Sequence, residues 1–256
     1  MIIDELNKKQ QDISNSDVDW AKHYDLFEIE MRNMYRTVAK PQNDSHFQTM
    51  LNNAKDHLNK DKNFCEIGFG CGITLRYAAK YFGKVYGLDI SPRNVDYTAD
   101  ELRDEGVKNV ELYCSDIMKT DERFLKKFDV LSFIHGLEHF AEKDYKTMLG
   151  NIKSYLKPGG IFTGALPYKN EFNYRMCHKC GNVFEMDGHV SSHDESSLRK
   201  VLETNGFEVL YLNNFNVNYA LSEGSMLQKI HRILMYKLFG RRFFTQLEYI
   251  AKPISE

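Results

Sequence analysis

Three stretches of the 256-residue sequence carry side chains whose types and spacing could do chemistry. The first is His135-Gly136-Leu137-Glu138-His139, two imidazoles flanking a carboxylate. Imidazole exchanges protons near neutral pH, so His139 is the first candidate for a general base or acceptor-orienting group, with His135 and Glu138 beside it. The plainer reading has Glu138 and His139 capping and packing a helix. His-x-x-Glu-His is also a spacing that can chelate a divalent metal. The second stretch is Cys177-His178-Lys179-Cys180-Gly181, a knuckle in which two thiolates can converge on one metal, followed by His189 and His193. The separation of the two histidines is within the spacing of a Cys₂His₂ zinc site, though the eight residues between Cys180 and His189 make a shorter loop than in the familiar zinc finger; free structural thiols and a redox pair are the other readings. Redox chemistry is disfavoured because the motif does not open a helix. His193 also stands where it would cap a following helix. The third stretch is Glu66-Ile67-Gly68-Phe69-Gly70-Cys71-Gly72, with glycine at every second position. Glycines there permit unusual backbone angles and let a ligand approach the main chain without Cβ atoms in the way.

Elements able to position these residues are legible in the patterning. An apolar run (Phe64 to Ile67), the glycines and then Ile73, Leu75, Ala78, Ala79 and Phe82 read as strand, tight turn and amphipathic helix. Strands are expected at 63–67, 84–89, 109–114, 127–134, 161–166, 207–213 and 245–251. Helices are expected at 73–82, 92–105, 141–156 and 195–205, with only a polar stretch in the third crossover, 116–126. Alternation of this kind implies a parallel sheet covered on both faces. Residues 1–60 read as a helical extension, either packed against the sheet or acting as a lid through Trp20, Tyr24 and Tyr35. Two segments break the alternation: 168–193, rich in Cys, His, Asn and Gly, and 222–240. Within 225–242 five cations accompany an apolar helical face and no acid, a docked helix with a solvated basic side or a surface facing an anionic acceptor.

Strand ends carry further candidates. Asp89, closing Gly87-Leu88-Asp89-Ile90-Ser91, can accept both hydroxyls of a ribose or can cap the helix that Pro92 begins. Asp116, in Cys114-Ser115-Asp116-Ile117, can accept an adenine amino group while Ile117 packs on the ring. A dinucleotide fingerprint, G-x-G-x-x-G, would need glycine at position 73, which is Ile.

Composition bounds the function. A formal net charge of −2 gives no global basic field for nucleic acid, and 42% hydrophobic residues suffice for one sizeable core. No apolar run approaches the roughly 18 residues of a membrane span. The charged, weakly apolar Met1–Gln10 is no signal peptide. Five cysteines, three of them in apolar strand or turn patterns, suit a reducing compartment, and a cytoplasmic location is expected.

Taken together, Glu-x-Gly-x-Gly-x-Gly, the two strand-end acids, the Asp-aliphatic fourth strand Phe128–Phe133, Leu137-Glu138-His139 and Leu156-Lys157-Pro158-Gly159-Gly160 resemble the class I S-adenosylmethionine-dependent methyltransferases. The resemblance covers about residues 60–252. It implies a doubly wound, Rossmann-like, seven-stranded and mostly parallel α/β sheet over 61–256, with 1–60 as a helical cap, an insertion at 168–193 and a basic helix at 222–240. It implies that Glu66, Gly68, Phe69, Gly70, Gly72, Asp89, Ile90, Asp116, Ile117 and His135 bind S-adenosylmethionine, and it allows His189 to aim into the active site near His139. Ile134-His135-Gly136-Leu137 lacks the Asn/Asp-Pro-Pro-aromatic motif of DNA amino-methyltransferases, so no nucleic-acid partner is expected. The chain looks more like the small-molecule and glycan-modifying branch, which implies O-methylation of a sugar, nucleotide sugar or phosphoryl-bearing component of surface polysaccharide. A non-catalytic S-adenosylmethionine-binding protein and a dinucleotide-dependent oxidoreductase are the competing readings.

Overall fold

The computed structural model describes residues 19–25, 54–176, 178–179, 181, 183–216 and 245–254. The strands are β1 (Asn63–Ile67), β2 (Lys84–Asp89), β3 (Val110–Cys114), β4 (Phe128–Ile134), β5 (Leu156–Pro167), β6 (Tyr174–Met176), β7 (Val183–Glu185), β8 (Phe207–Asn216) and β9 (Thr245–Pro253). The helices are α1 (Ile73–Ala78), α2 (Pro92–Asp104), α3 (Tyr145–Tyr155) and α4 (Glu195–Thr204). A seven-stranded sheet runs in the order β3-β2-β1-β4-β5-β9-β8. Its first five strands are parallel, and β9 lies antiparallel between β5 and β8.

Period-two alternation explains why the sheet is covered on both faces. Phe64, Val85, Val130 and Ile161 pack with Leu75, Tyr77 and Ala78 of α1 on one side. Cys65, Tyr86, Leu131 and Phe162 pack with Met148, Leu149 and Ile152 of α3 and Leu198 and Leu202 of α4 on the other. This is the doubly wound arrangement that the sequence implies. Ser91 caps α2 through its side chain, with Pro92 at the first helical position. Asp194 and Ser197 form a reciprocal capping pair at the start of α4, so the cap is Asp194 and not its neighbour His193.

Departures from the expected boundaries are local. The first helix ends at Ala78 rather than 82, giving way to the turn that feeds β2. A 3₁₀ turn, Glu142–Asp144, occupies the place expected for the start of α3. Strand β5 begins before the Pro158-Gly159-Gly160 turn, with a register shift opposite β4. Within the 168–193 insertion, β6 and β7 form a separate antiparallel hairpin that the sequence pattern did not announce. Residues 20–25 are helical. Tyr35, the 222–240 segment, Cys177 and Cys180 lie outside the described residues. No described helix is long and apolar enough to cross a membrane.

Candidate active site

Strand order reverses at β1, whose neighbours are β2 and β4, and a crevice opens at the carboxyl ends of such strands. The glycine turn lies there. Gly68, Gly70 and Gly72 take φ of 62°, 51° and 66°, a left-handed path that a side chain would resist. Two bonds tie this turn to β2: the Gly68 N–H donates to the Leu88 carbonyl at 2.7 Å and the Gly70 N–H to Asp89 Oδ2 at 3.0 Å. Asp89 Oδ1 accepts from the Ser91 N–H at 2.9 Å and the Asn94 amide at 3.3 Å. Asp89 therefore latches the turn to the start of α2. An ionised carboxylate has about four acceptor sites, so it retains capacity for a ligand hydroxyl. Burial pushes its carboxyl up to about 6, against the pull of the Ser91 and Gly70 N–H groups and the Asn94 amide.

Beside it, Glu66 is 4% exposed, and its Oε2 has no hydrogen-bond partner among the described residues. Burial holds this carboxyl well above the usual range, while the Thr74 hydroxyl pulls it down and the Asp89 charge adds to the rise. A cationic group would supply the missing donor and restore the ionised form, as the ammonium of an amino-acid-bearing cofactor does. At the end of β3, Asp116 accepts from the Met118 N–H at 2.9 Å and keeps 27% of its side chain exposed, while Ile117 is buried. Phe69 is buried, close against Gly87 of β2. Ile90 is half-buried, and its carbonyl faces the Cys114 thiol at 3.6 Å. The residues present fit S-adenosylmethionine.

The reaction end is built at the tip of β4. His135 takes φ +49°, a left-handed conformation rare for a side-chain-bearing residue, and its N–H donates to the Ala165 carbonyl of β5 at 2.7 Å. A 3₁₀ turn, Leu137–His139, follows. Its Glu138 carbonyl accepts from the Val190 and Ser191 N–H groups at 2.8 and 3.0 Å, which clips the 168–193 insertion onto the turn. His189 arrives by that route. His135 Nδ1 lies 3.5 Å and His189 Nε2 4.0 Å from Glu138 Oε1, and the His139 and His189 rings sit 5.2 Å apart. The Glu138 side chain is 1% exposed, with Oε2 partnerless. Burial pushes its carboxyl up, but the hydrogen bond from His135 and the charges of His139 and His135 outweigh it, leaving the group below its ordinary value and ionised. His139 Nδ1 lies 3.0 Å from the Gly188 carbonyl. A carbonyl only accepts, so the proton sits on Nδ1 and the Nε2 lone pair is available. Burial lowers His139, and Glu138 pulls the other way.

Residues 20–25 cover this end. Trp20 is buried, stacks on Tyr24 at 5.8 Å and meets His139 edge-on at 5.8 Å; Tyr24 meets His139 at 6.2 Å. Burial, with the charges of Glu138 and Asp89, drives the Tyr24 hydroxyl far up. Asp25 fixes the segment, accepting from the Ser91 hydroxyl at 2.6 Å and the Arg93 N–H at 3.4 Å. Trp20 and Tyr24 thus pack against His139, a placement consistent with either reading of the N-terminal segment. Asp25 carried no recognisable signal, because its partners are 66 and 68 residues away.

The two histidines of the anticipated zinc set part company. His193 is buried against Tyr145, with Nε2 2.7 Å from the Tyr145 hydroxyl and Nδ1 3.3 Å from the Ser197 hydroxyl. Both of its nitrogens serve the support of the reaction turn, since Tyr145 also reaches Ser191 at 2.8 Å. His189 lies beside Glu138 and His139, while Cys177 and Cys180 lie outside the described residues.

Comparison with known proteins agrees with this geometry. Residues 35–212 match the family described as a methyltransferase domain. A probable fatty acid methyltransferase of Mycobacterium tuberculosis is 25% identical over 163 residues, covering 61% of this chain and 36% of that protein. The N-methyltransferase 4 of Papaver somniferum is 26% identical over 170 residues, covering 66% of this chain and 38% of that protein. The chain thus spans little more than a third of the length of these two relatives. Among solved structures, the DhpI–SAH complex superposes with a TM-score of 0.63 at 17% identity, covering 92% of this chain and 96% of that one. The chain belongs to the methyltransferase-domain family and has the fold of the class I S-adenosylmethionine-dependent methyltransferases.

Proposed function

We propose that the chain methylates an oxygen of a small polar acceptor: a sugar, a nucleotide sugar or a phosphoryl-bearing component of surface or capsular polysaccharide biosynthesis, in the cytoplasm. One observation carries the reading. An ionised Glu138 and a His139 with its Nε2 lone pair available stand at the tip of β4, where the Trp20 and Tyr24 rings meet His139 in edge-on contacts. Imidazole and carboxylate recognise hydroxyl donors, and flat aromatic faces suit the apolar side of a sugar ring.

Bound S-adenosylmethionine supplies an activated methyl on a sulfonium. The chain's own residues then have to hold the acceptor in line, exclude water and receive a proton. Asp89, Glu66 and the glycine turn hold the cofactor side, with Asp116 and Ile117 at the adenine end and Ile90 beside Asp89. Trp20 and Tyr24 shut the acceptor side. The Glu138–His139 cluster orients the hydroxyl and takes up its proton.

A labelled-methyl screen against nucleotide sugars, phosphorylated metabolites and free amines tests the reading. Label is expected on a hydroxyl-bearing acceptor, with turnover lost in His139→Ala. Transfer confined to amines would overturn oxygen as the acceptor atom and favour an acceptor class like that named for the Papaver somniferum relative.

A further inference from the structure

We propose that Glu138, His139 and His189 together hold a divalent metal ion at the acceptor end of the site. One ligand atom from each residue lies within 4.8 Å of the others. Around an ion with bonds of about 2.1 Å, neighbouring ligand atoms stand about 3 Å apart, so the cluster needs only side-chain closure. The residues come from distant positions. Glu138 and His139 belong to the turn after β4, and His189 is delivered by the insertion clipped to that turn through the Glu138 carbonyl.

Glu138 supplies the independent evidence. Its side chain is 1% exposed, yet Oε2 has no partner among the described residues and the contacts to Oε1, at 3.5 and 4.0 Å, are long. An orphaned oxygen on a buried carboxylate is costly, and a cation held by that carboxylate and the imidazoles would remove the deficit. The surroundings are arranged as around ligating histidines, which are oriented by an acceptor at the other ring nitrogen. For His139 that acceptor is the Gly188 carbonyl at 3.0 Å, leaving Nε2 for the ion. For His189 the Asn170 amide lies 3.2 Å from Nδ1, and Asn170 Oδ1 is itself buried without a partner. A half-turn of that amide presents Oδ1 to the His189 Nδ1–H, moving the NH₂ to the position that has no partner among the described residues and losing a 3.5 Å contact with the Ser191 carbonyl.

A neighbouring group, Glu185, Asp187 and His189, is a weaker candidate. Glu185 Oε1 accepts from the Asn173 N–H at 3.0 Å, and Oε2 accepts from the Asp187 and His189 N–H groups at 2.9 and 2.8 Å. That carboxylate is spent on shaping the loop.

Two imidazole nitrogens and one carboxylate suit Mn²⁺, Fe²⁺, Co²⁺ or Zn²⁺ better than the all-oxygen cages of Ca²⁺ or Mg²⁺. Three protein ligands leave positions open for the acceptor. The inference rests on the reading of this cluster as the acceptor end and revises one step of it: with the ion held, Glu138 and His139 would be its ligands rather than the proton acceptor, and the bound hydroxyl, its pKa lowered, would lose its proton to bulk water before the methyl arrives.

The test is titration of untagged, chelator-treated chain with Mn²⁺ alone, read by electron paramagnetic resonance. Manganese has little affinity for thiolates, so Cys177 and Cys180 do not contribute. One tight Mn²⁺ per chain is expected. Saturable binding should be lost in Glu138→Gln and His189→Ala and weakened about 10-fold or more in Asn170→Ala. Asp187→Asn should bind as wild type does. Unchanged S-adenosylhomocysteine affinity in each variant shows that it has folded. Wild-type chain that takes up no Mn²⁺, or binding that survives Glu138→Gln or disappears in Asp187→Asn, overturns the site. Failure of the metal with hydroxyl methylation intact removes this inference alone; metal binding without hydroxyl methylation removes the acceptor reading instead.

Discussion

Asp89 is pulled two ways. Three donors, the Gly70 and Ser91 N–H groups and the Asn94 amide, favour the charged form, while burial raises its carboxyl to about 6 from an ordinary 3.8. An acid raised on folding stabilises the folded chain fully below about 3.8, and that contribution is lost as pH rises through about 6. Chemical denaturation of Asp89→Asn and wild-type apoprotein from pH 4 to pH 7 should therefore show the variant gaining relative stability as pH rises; a constant difference would contradict it. At His139 the expectation is kinetic: His139→Ala should lower turnover on the order of 10²-fold with S-adenosylhomocysteine affinity little changed, measured by turnover and calorimetry. Normal turnover would return the residue to packing. The glycines and acids of the cofactor half were legible because each sits at a strand end within a short motif. For His189 the sequence left two destinations open, the cysteine knuckle or the neighbourhood of His139. Its approach to His139 depends on Val190 and Ser191 pairing with the Glu138 carbonyl, a contact no local spacing encodes.

At the scale of elements, the strands fell where alternation put them, because a strand buried on both faces must be apolar and bounded by turns. The 3₁₀ turn before α3 and the β6–β7 hairpin escaped notice, since three residues are too few to display a period. The glycine turn invites a direct test. Gly72 takes φ +66°, and a Cβ there would lie 2.6 Å from Thr98 Cγ2. Gly72→Ala should cost about 1–2 kcal/mol of stability for its left-handed backbone, read from denaturant midpoints. A change within error would mean that α2 shifts freely. The 20–25 segment makes a different prediction: Trp20→Ala should raise acceptor KM or lower kcat by about 10-fold or more, since lids position acceptors, while cofactor affinity holds. Equal loss of both affinities would make the segment structural.

Across the whole molecule, the proposed reading puts a cofactor half and an acceptor half on either side of the switch between β1 and β4. The glycine turn, Glu66 and Asp89 lie on one side, and Glu138, His139 and His189 on the other. The lid residues contact both, through Asp25 on Ser91 and Trp20 on His139. Calorimetry of one protein preparation against S-adenosylhomocysteine and NAD, repeated with Asp89→Ala, tests this assignment most directly. S-adenosylhomocysteine should bind one to one, NAD should not, and Asp89→Ala should weaken binding by about 1–3 kcal/mol. Binding of NAD without S-adenosylhomocysteine, or an Asp89→Ala chain of unchanged affinity, would contradict it.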